Sequence, residues 1–324
     1  MKVCAYYRYG RPTDVMALED RPIPVPGPGE VLIRNRAVGL NGSDCEITTA
    51  YPAYSRIFGA LKPRHNVLGS DVAGVVTKLG DGVTNFTVGD QVFGDIFELF
   101  GGFAEYTVAP ADKLLPIPDK MDFVTAATLP QSGTNALQPV IYDAKVSAGQ
   151  KVLILGACGG AGVFAVQMAK AAGAEVTAVD RGAKLDLAHK VGADHVLDFE
   201  TEDVLAIDAK FDLILDYFAT RPFYAYRHMM TPTGLYMFFG GQIRPLYLLL
   251  SLGWFMSRKE GQSYKLEAVS QSTEKLAHIA KLVLSGQLTP VVAETLSLEE
   301  LPDALDRMSR GEIFGKAVVV FPDD

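Results

Sequence analysis

The sequence is poor in residues that cross-link or hold metals: its 324 residues include three cysteines, Cys4, Cys45 and Cys158, widely spaced and never in a CxxC pair. Neither a disulfide framework nor a cysteine-rich zinc lobe can be built from them, and a reducing, cytoplasmic compartment is expected. Long apolar runs are missing as well. The longest, Pro245 to Met256, falls short of the about 18 to 20 residues of a membrane helix, so no integral membrane segment is expected. The opening MKVCAYYRYGRP lacks the charged-then-apolar order of a secretory signal. Flanked by Arg244 and by Arg258-Lys259, the apolar run reads as a buried or pocket-lining helix, with lipid-surface contact as the lesser reading. Basic residues are outnumbered, 30 against 38 acidic, and a net charge of -8 argues against nucleic acid as a partner. Low-complexity tracts and internal repeats are absent, which excludes wholesale disorder and solenoids.

What is present falls into two styles of sequence. From Met1 to about Pro118, short runs such as VLIRNRAVGL, DVAGVVTKLG, DQVFGDIF and FAEYTVAP alternate or stay apolar between Gly and Pro turns. That pattern predicts a closed antiparallel barrel. From about Lys120 strands and helices alternate: KVLILGA, a helix over 160–172, EVTAVD, a helix over 183–191, DHVLDF, FDLILDYF and GLYMFFGG. Such alternation specifies an α/β domain with a parallel sheet. After about Lys265 come two helices and a closing strand, KAVVVF, which we assign back to the first domain. The expected division is 1–120 with 265–324, and 121–264.

Within the second region, KVLILGACGGAGVFAVQMAKAAGAEVTAVD reads as a strand, a glycine-rich turn, a helix and a second strand ending in an acid. Gly156, Gly159 and Gly162 are spaced for a tight turn, a close approach by a pyrophosphate and a helix lying near the sheet; Gly160 opens the helix. Free amides and the positive end of the helix dipole would receive the phosphates. Asp180, at the second strand's end, is placed to accept from an adenosine ribose and to repel a 2′-phosphate, which favours NADH. Arg181 and Lys184 follow closely and favour NADPH, so the two signals conflict.

The order of these segments, with AVGLNGSD, LGSDVAGVV, VGDQVFG, GGFAEY, GADHVLDF and GKAVVVF, resembles the medium-chain dehydrogenase/reductase superfamily. Within it the chain is most similar to the zinc-free quinone oxidoreductase and zeta-crystallin branch. The resemblance implies a GroES-like β-barrel catalytic domain and a Rossmann doubly wound parallel-sheet domain, an active site in the cleft between them, and a homodimer. The alcohol dehydrogenases of that superfamily place a zinc-ligating cysteine where Asn41 stands and a His-Glu pair at Ser70-Asp71. Neither Asn nor Ser ligates zinc well, and no four-cysteine lobe follows Gly89-Asp90, so no metal is expected. His65 is a lone histidine without partner ligands.

Further site residues come from the same resemblance. Asn41 would lie beside the nicotinamide and donate its amide to a substrate carbonyl, and Asp44 would orient its loop. Tyr51 and Tyr54 are candidate proton donors, although Pro52 holds the position where the related enoyl reductases keep a tyrosine. Thr134 and Asn135 are alternatives for a contact to the nicotinamide portion. Phe239 and Gly240, with Gly241, end a strand on the ligand edge of the sheet. Lys316 is either a cofactor contact or a barrel-edge charge.

Without a Lewis acid, oxidation of a simple alcohol loses its main device, whereas reducing a quinone or enone needs orientation and a hydrogen bond to developing oxyanion charge. The expected function is therefore zinc-independent hydride transfer from NADPH or NADH to a small, apolar quinone or α,β-unsaturated carbonyl. The alternatives are a zinc-free alcohol or aldehyde dehydrogenase and a weakly catalytic nucleotide-binding protein.

Overall fold

The computed structural model describes residues 1–267 and 272–322. In chain order its first stretch holds strands β1 (Lys2–Tyr6), β2 (Met16–Asp20), β3 (Glu30–Gly39), β4 (Asp71–Leu79), β5 (Gln91–Asp95), β6 (Tyr106–Pro110) and β7 (Leu114–Pro116). Helices α1 (Pro12–Val15), α2 (Gly42–Thr49), α3 (Phe123–Thr128) and α4 (Pro130–Leu137) belong to the same stretch. Then follow β8 (Lys151–Leu155), α5 (Gly160–Ala171), β9 (Glu175–Asp180), α6 (Leu185–Lys190), β10 (His195–Asp198), β11 (Phe211–Asp216), β12 (Met230–Phe238), α7 (Ile243–Glu260) and β13 (Ser263–Leu266). The closing elements are α8 (Thr273–Leu284), β14 (Val292–Leu296), α9 (Leu301–Ser309) and β15 (Lys316–Val320).

Two compact units result. One comprises Met1–Thr134, Gln271–Gly286 and Pro290–Asp324; the other, Asn135–Ser270 and Gln287–Thr289. The division after Thr134 differs from the expected boundary at residue 120. Asp122 caps α3 by accepting from the Thr125 N–H at 2.6 Å, and α3 packs on β3 and β4. The Gln131 N–H then donates to the Asp71 carboxylate at 3.2 Å. A helix serving the barrel looks, in sequence, like the first helix of the next domain.

The first unit is built on a sheet of order β14-β15-β3-β4-β5-β7, with β6 paired to β3; its pairs are antiparallel except β14 with β15. Val31, Ile33 and Val38 of β3, with Val72 and Val76 of β4, form its core with Leu301 and Leu305 of α9. Burying each such side chain contributes roughly 1.5–3 kcal/mol. Register is what builds the site. Gly39 pairs with Asp71 and Asp71 with Asp95, while Val318 of β15 pairs with Gly39 on the other side. The β3–β15 pairing runs on through the Leu40 N–H, which donates to Ala317 at 3.0 Å, so Lys316 comes to stand opposite Asn41.

The second unit is a six-stranded, wholly parallel sheet of order β10-β9-β8-β11-β12-β13. Its strands read as continuous apolar runs because both faces are covered. Chain order reverses between β8 and β11, the switch point at which such sheets take ligands, and the glycine turn leaves β8 there. The apolar run of residues 245–256 lies in α7, and of the two readings, buried or pocket-lining, full burial does not hold. Leu249 is buried, whereas Tyr247, Leu250, Trp254 and Phe255 are each more than three-fifths exposed. The helix turns only one face to its unit, and the period that places Leu249 inward leaves these four outside. The side chains of Arg258 and Lys259 lie outside the described residues. Among the described residues no helix is long and apolar enough to cross a membrane.

Candidate active site

In the first unit, β3 ends at Gly39 and the chain turns into α2 with Asn41 as N-cap. Asp44, in the first turn, accepts from the Asn41 N–H at 2.9 Å and from the Gly69 N–H at 3.1 Å, which ties the loop before β4 to the start of α2. Burial pushes the Asp44 carboxyl up to about 7 despite those two donors. The expected loop-orienting role of Asp44 matches this geometry, and the ammonium behind Asn41 is the larger feature. Lys316 is 1% exposed, and its Nζ lies 2.7 Å from the Leu40 carbonyl, 2.7 Å from Asn41 Oδ1 and 3.3 Å from Asp71 Oδ2. An ammonium has three N–H groups, and three protein acceptors take them.

With its oxygen held by Lys316, Asn41 directs its Nδ2 elsewhere. That nitrogen is buried and has no hydrogen-bond partner among the described residues. A second buried amide nitrogen, Gln131 Nε2, is likewise without one, while the Gln131 Oε1 accepts from Ser43 Oγ at 3.1 Å. Gln131 and Ser43 were not singled out in the sequence. The signal was available, since Gln131 stands in the same LPQSGTNALQ segment as Thr134. Burial pushes Asp71 up while Lys316 and the Asn41 side chain oppose the shift; Asp95 is pushed well up by burial and by Asp71 beside it.

The other residues of this unit fall as follows. Tyr51 is 63% exposed. The Tyr54 hydroxyl donates to the Glu46 carboxylate at 3.2 Å, and burial pushes Glu46 up to about 7 against that bond. Thr134 is buried and donates backwards to the Pro130 carbonyl at 2.6 Å. His65 lies tilted against Phe100, with ring centroids 5.2 Å apart.

In the second unit the glycine turn has the geometry its spacing predicts. Gly156 adopts φ +79°, the left-handed region, and a Cβ at Gly162 would lie 2.3 Å from the Gly156 carbonyl oxygen. Only glycine allows α5 to pass so close to the end of β8. Gly159 is the N-cap, Gly160 the first helical residue, and no side chain caps the helix. Asp180 at the end of β9 is buried, with Oδ2 accepting from the Cys158 N–H and Oδ1 from the Arg181 N–H, both at 2.9 Å. Lys184 is not the solvated surface lysine that its helical setting suggests: it is 6% exposed, with Nζ 3.8 Å from Asp180 Oδ1. Arg181 lies 3.5 Å from Glu200.

Phe239 and Gly240 follow β12 directly, and the Phe239 ring lies 4.4 Å, centroid to centroid, from that of Tyr217. The Tyr217 hydroxyl donates to the Asn135 carbonyl at 3.3 Å, and its Cβ is 3.4 Å from where a Gly156 Cβ would be. Tyr217 thus sits between the turn and Phe239, a position that sequence reasoning missed because FDLILDYF reads as one continuous strand. A dinucleotide fits the groups present: a helix start capped by glycine, a turn built on Gly156 and Gly162, and an acid at the end of the second strand.

Two family models match the chain: the alcohol dehydrogenase GroES-like domain over residues 27–119 and the zinc-binding dehydrogenase model over residues 191–319. The mitochondrial NAD(P)H oxidoreductase RTN4IP1 of Mus musculus is 30% identical over 90% of this chain and 82% of its own. The chain belongs to the medium-chain dehydrogenase/reductase superfamily. It falls among that superfamily's quinone oxidoreductases and is an NAD(P)H-dependent oxidoreductase. The chloroplast envelope quinone oxidoreductase homolog of Arabidopsis thaliana is 29% identical over 98% of both chains. The solved quinone oxidoreductase from Coxiella burnetii superposes with a TM-score of 0.90 at 26% identity over 99% of both chains.

Despite the name of the second model, no group of three or more His, Cys, Asp or Glu side chains among the described residues is placed to hold a metal ion. At the end of β11 lies one more buried acid, Asp216, which accepts from the Tyr236 hydroxyl at 2.7 Å. Burial pushes its carboxyl from 3.8 up to about 7. The folded chain therefore keeps this proton up to about pH 7, whereas the unfolded chain releases it near 3.8. Stability from this group is full at low pH and is lost as pH rises through that window. Asp216→Asn, which keeps an acceptor for Tyr236, should raise Tm at pH 8 by several degrees, on the order expected for a few kcal/mol, and should change it little at pH 4. Melting curves across that range check this; equal shifts at both pH values would refute it.

Proposed function

We propose that the chain transfers hydride from NAD(P)H to a quinone or another activated, apolar enone without zinc. The observation that carries this reading is the Asn41 amide, buried, held at its oxygen by Lys316 and, among the described residues, without a hydrogen-bond partner at its nitrogen. When bound, the reduced nicotinamide supplies the hydride. The Asn41 Nδ2–H would donate to the acceptor's carbonyl oxygen, where negative charge grows as hydride arrives at the conjugated carbon, and fixed donors of this kind lower the barrier most. Independence from zinc is supported by donor chemistry, because Asn41 and Ser70 stand where the zinc enzymes carry Cys and His. The names of the Arabidopsis and Coxiella relatives support a quinone as acceptor. Of the two tyrosines we place the proton donor at Tyr54, whose O–H would turn from Glu46 to the substrate, with the Glu46 carboxyl then returning a proton to the phenolate. We keep Thr134 and Asn135 as contacts to the nicotinamide portion, and we include cytoplasmic residence and a homodimer in the proposal.

The test is a steady-state assay of purified protein in EDTA with NADH and NADPH against a panel of quinones and enones. No cofactor oxidation above blank with any acceptor would defeat the reading, and faster cofactor reduction by alcohols would favour the dehydrogenase alternative. Cofactor choice turns on Asp180 and on the cations Arg181 and Lys184. Asp180→Ala should shift the NADPH-to-NADH affinity ratio about tenfold toward NADPH by removing a charge that repels the 2′-phosphate. It should also weaken both cofactors, since the carboxylate ties down the Cys158 amide of the turn. Fluorescence titration with both reduced cofactors reads both effects; an unchanged ratio would remove Asp180 from selection.

A further inference from the structure

We infer that Lys316 is a positioning residue that polarises the Asn41 amide, a fixed buried cation strengthening a neutral hydrogen-bond donor. The inference rests on the reading of Asn41 as donor to the acceptor's oxygen. Three observations carry it. The Lys316 ammonium lies 2.7 Å from Asn41 Oδ1, so positive charge sits on the carbonyl side of the amide and draws electron density away from the N–H groups on the other side. The amide nitrogen that would gain from this is buried and within hydrogen-bond distance of no described acceptor, although the Asn41 side chain does hold the Asp71 carboxyl down. Lys316 is itself enclosed, with its N–H groups taken by Leu40, Asn41 and Asp71, so it has no N–H left to donate to a substrate, and Asn41 is the group that carries its influence to one by a hydrogen bond.

The carboxyls around Lys316 do not simply cancel it. Asp71, Asp44 and Asp95 all interact electrostatically with it; burial raises all three, Asp44 to about 7 and Asp95 well above the usual range, while Lys316 opposes the rise and pairs directly with Asp71. The ammonium lies closer to Asn41 Oδ1, at 2.7 Å, than to Asp71 Oδ2, at 3.3 Å, in surroundings where little water screens it. Position is fixed by the backbone, because the β3–β15 register sets Lys316 opposite Asn41 whatever the loops do. In the reaction this asks nothing further of the chain. Hydride goes to the acceptor's electron-poor carbon, the electron pair moves to its oxygen, the polarised N–H stabilises that oxygen, and a proton then completes the reduced product.

Kinetics and a binding probe test this together. Lys316→Met should lower kcat about ten- to fiftyfold while KM for the cofactor moves less than about threefold, a smaller loss than removing the donor itself. Lys316→Arg, which keeps the charge, should recover most of the loss. On an Asn41→Ala background Lys316→Met should cost less than about twofold more, because two residues acting through one hydrogen bond are not additive. Without cofactor, 4-nitrophenolate serves as an oxyanion probe. Lys316→Met and Asn41→Ala should each weaken its binding about tenfold, and the pair together no further. If Lys316→Met does not fold, Lys316→Met with Asp71→Asn removes the ion pair as a unit and takes its place. A kcat within twofold of wild type, independent losses in the double variant, or phenolate binding indifferent to Lys316 would each overturn the inference. A wild-type chain that binds phenolate in this Lys316-dependent way yet reduces no acceptor would instead defeat the functional reading.

Discussion

Asn41→Ala is expected to lower turnover of a quinone or enone acceptor by roughly tenfold to a thousandfold, the scale of losing one preorganised oxyanion donor. The large expectation comes from where the amide stands. Its oxygen is spoken for by Lys316, its nitrogen is buried without a hydrogen-bond partner among the described residues, and Asp44 grips its backbone N–H. A donor held in place by its neighbours costs no reorganisation when charge develops, so its removal acts on the transition state more than on binding. The loss should therefore appear in kcat, with cofactor affinity nearly unchanged. Asn41→Asp is the sharper companion, since it keeps size and offers Lys316 an acceptor but replaces the N–H donor with an oxygen. It should be at least as impaired as the alanine variant. Wild-type kinetics in both variants would remove Asn41 from the reaction.

How much of this could be read beforehand differs between the two units for a physical reason. The nucleotide cradle is local: a strand, a turn, a helix and a strand lie consecutively, so glycine spacing and the terminal acid at Asp180 are enough to place it. The donor cluster is built by register across strands far apart in the chain. Asn41 was legible only through resemblance, and Lys316 was left undecided between a cofactor contact and an edge charge. Nothing in GKAVVVF says that Val318 pairs with Gly39, and that pairing alone brings the lysine to the amide. Gln131 and Tyr217 were missed on the same grounds, since each gains its meaning from a neighbour on another element. For residues 245–256 apolar content could not separate a buried from a pocket-lining helix, because it reports what a segment prefers, whereas α7 has only one face against its unit.

The second large effect is expected at Gly162. Gly162→Ala should raise the dissociation constant of either reduced cofactor by at least about a hundredfold, close to 3 kcal/mol, and should also lower Tm. The added Cβ would lie 2.3 Å from the Gly156 oxygen and 2.6 Å from the Ala157 carbonyl carbon, all backbone atoms with no rotamer to yield. Either α5 moves off the end of β8 or Gly156 leaves its φ of +79°, and both reshape the turn whose amides would hold the phosphates. Gly159→Ala separates packing from ligand approach. Gly159 has φ -76°, and its Cβ would meet the Gly156 oxygen at 3.4 Å, an ordinary contact. That variant should keep a wild-type Tm and lose cofactor affinity alone, because its methyl group would stand on the side that a pyrophosphate approaches. Isothermal titration with each cofactor, paired with melting curves, distinguishes the two. Should Gly162→Ala bind cofactor like wild type while Gly159→Ala melts early, the assignment of packing to one glycine and ligand access to the other would be reversed.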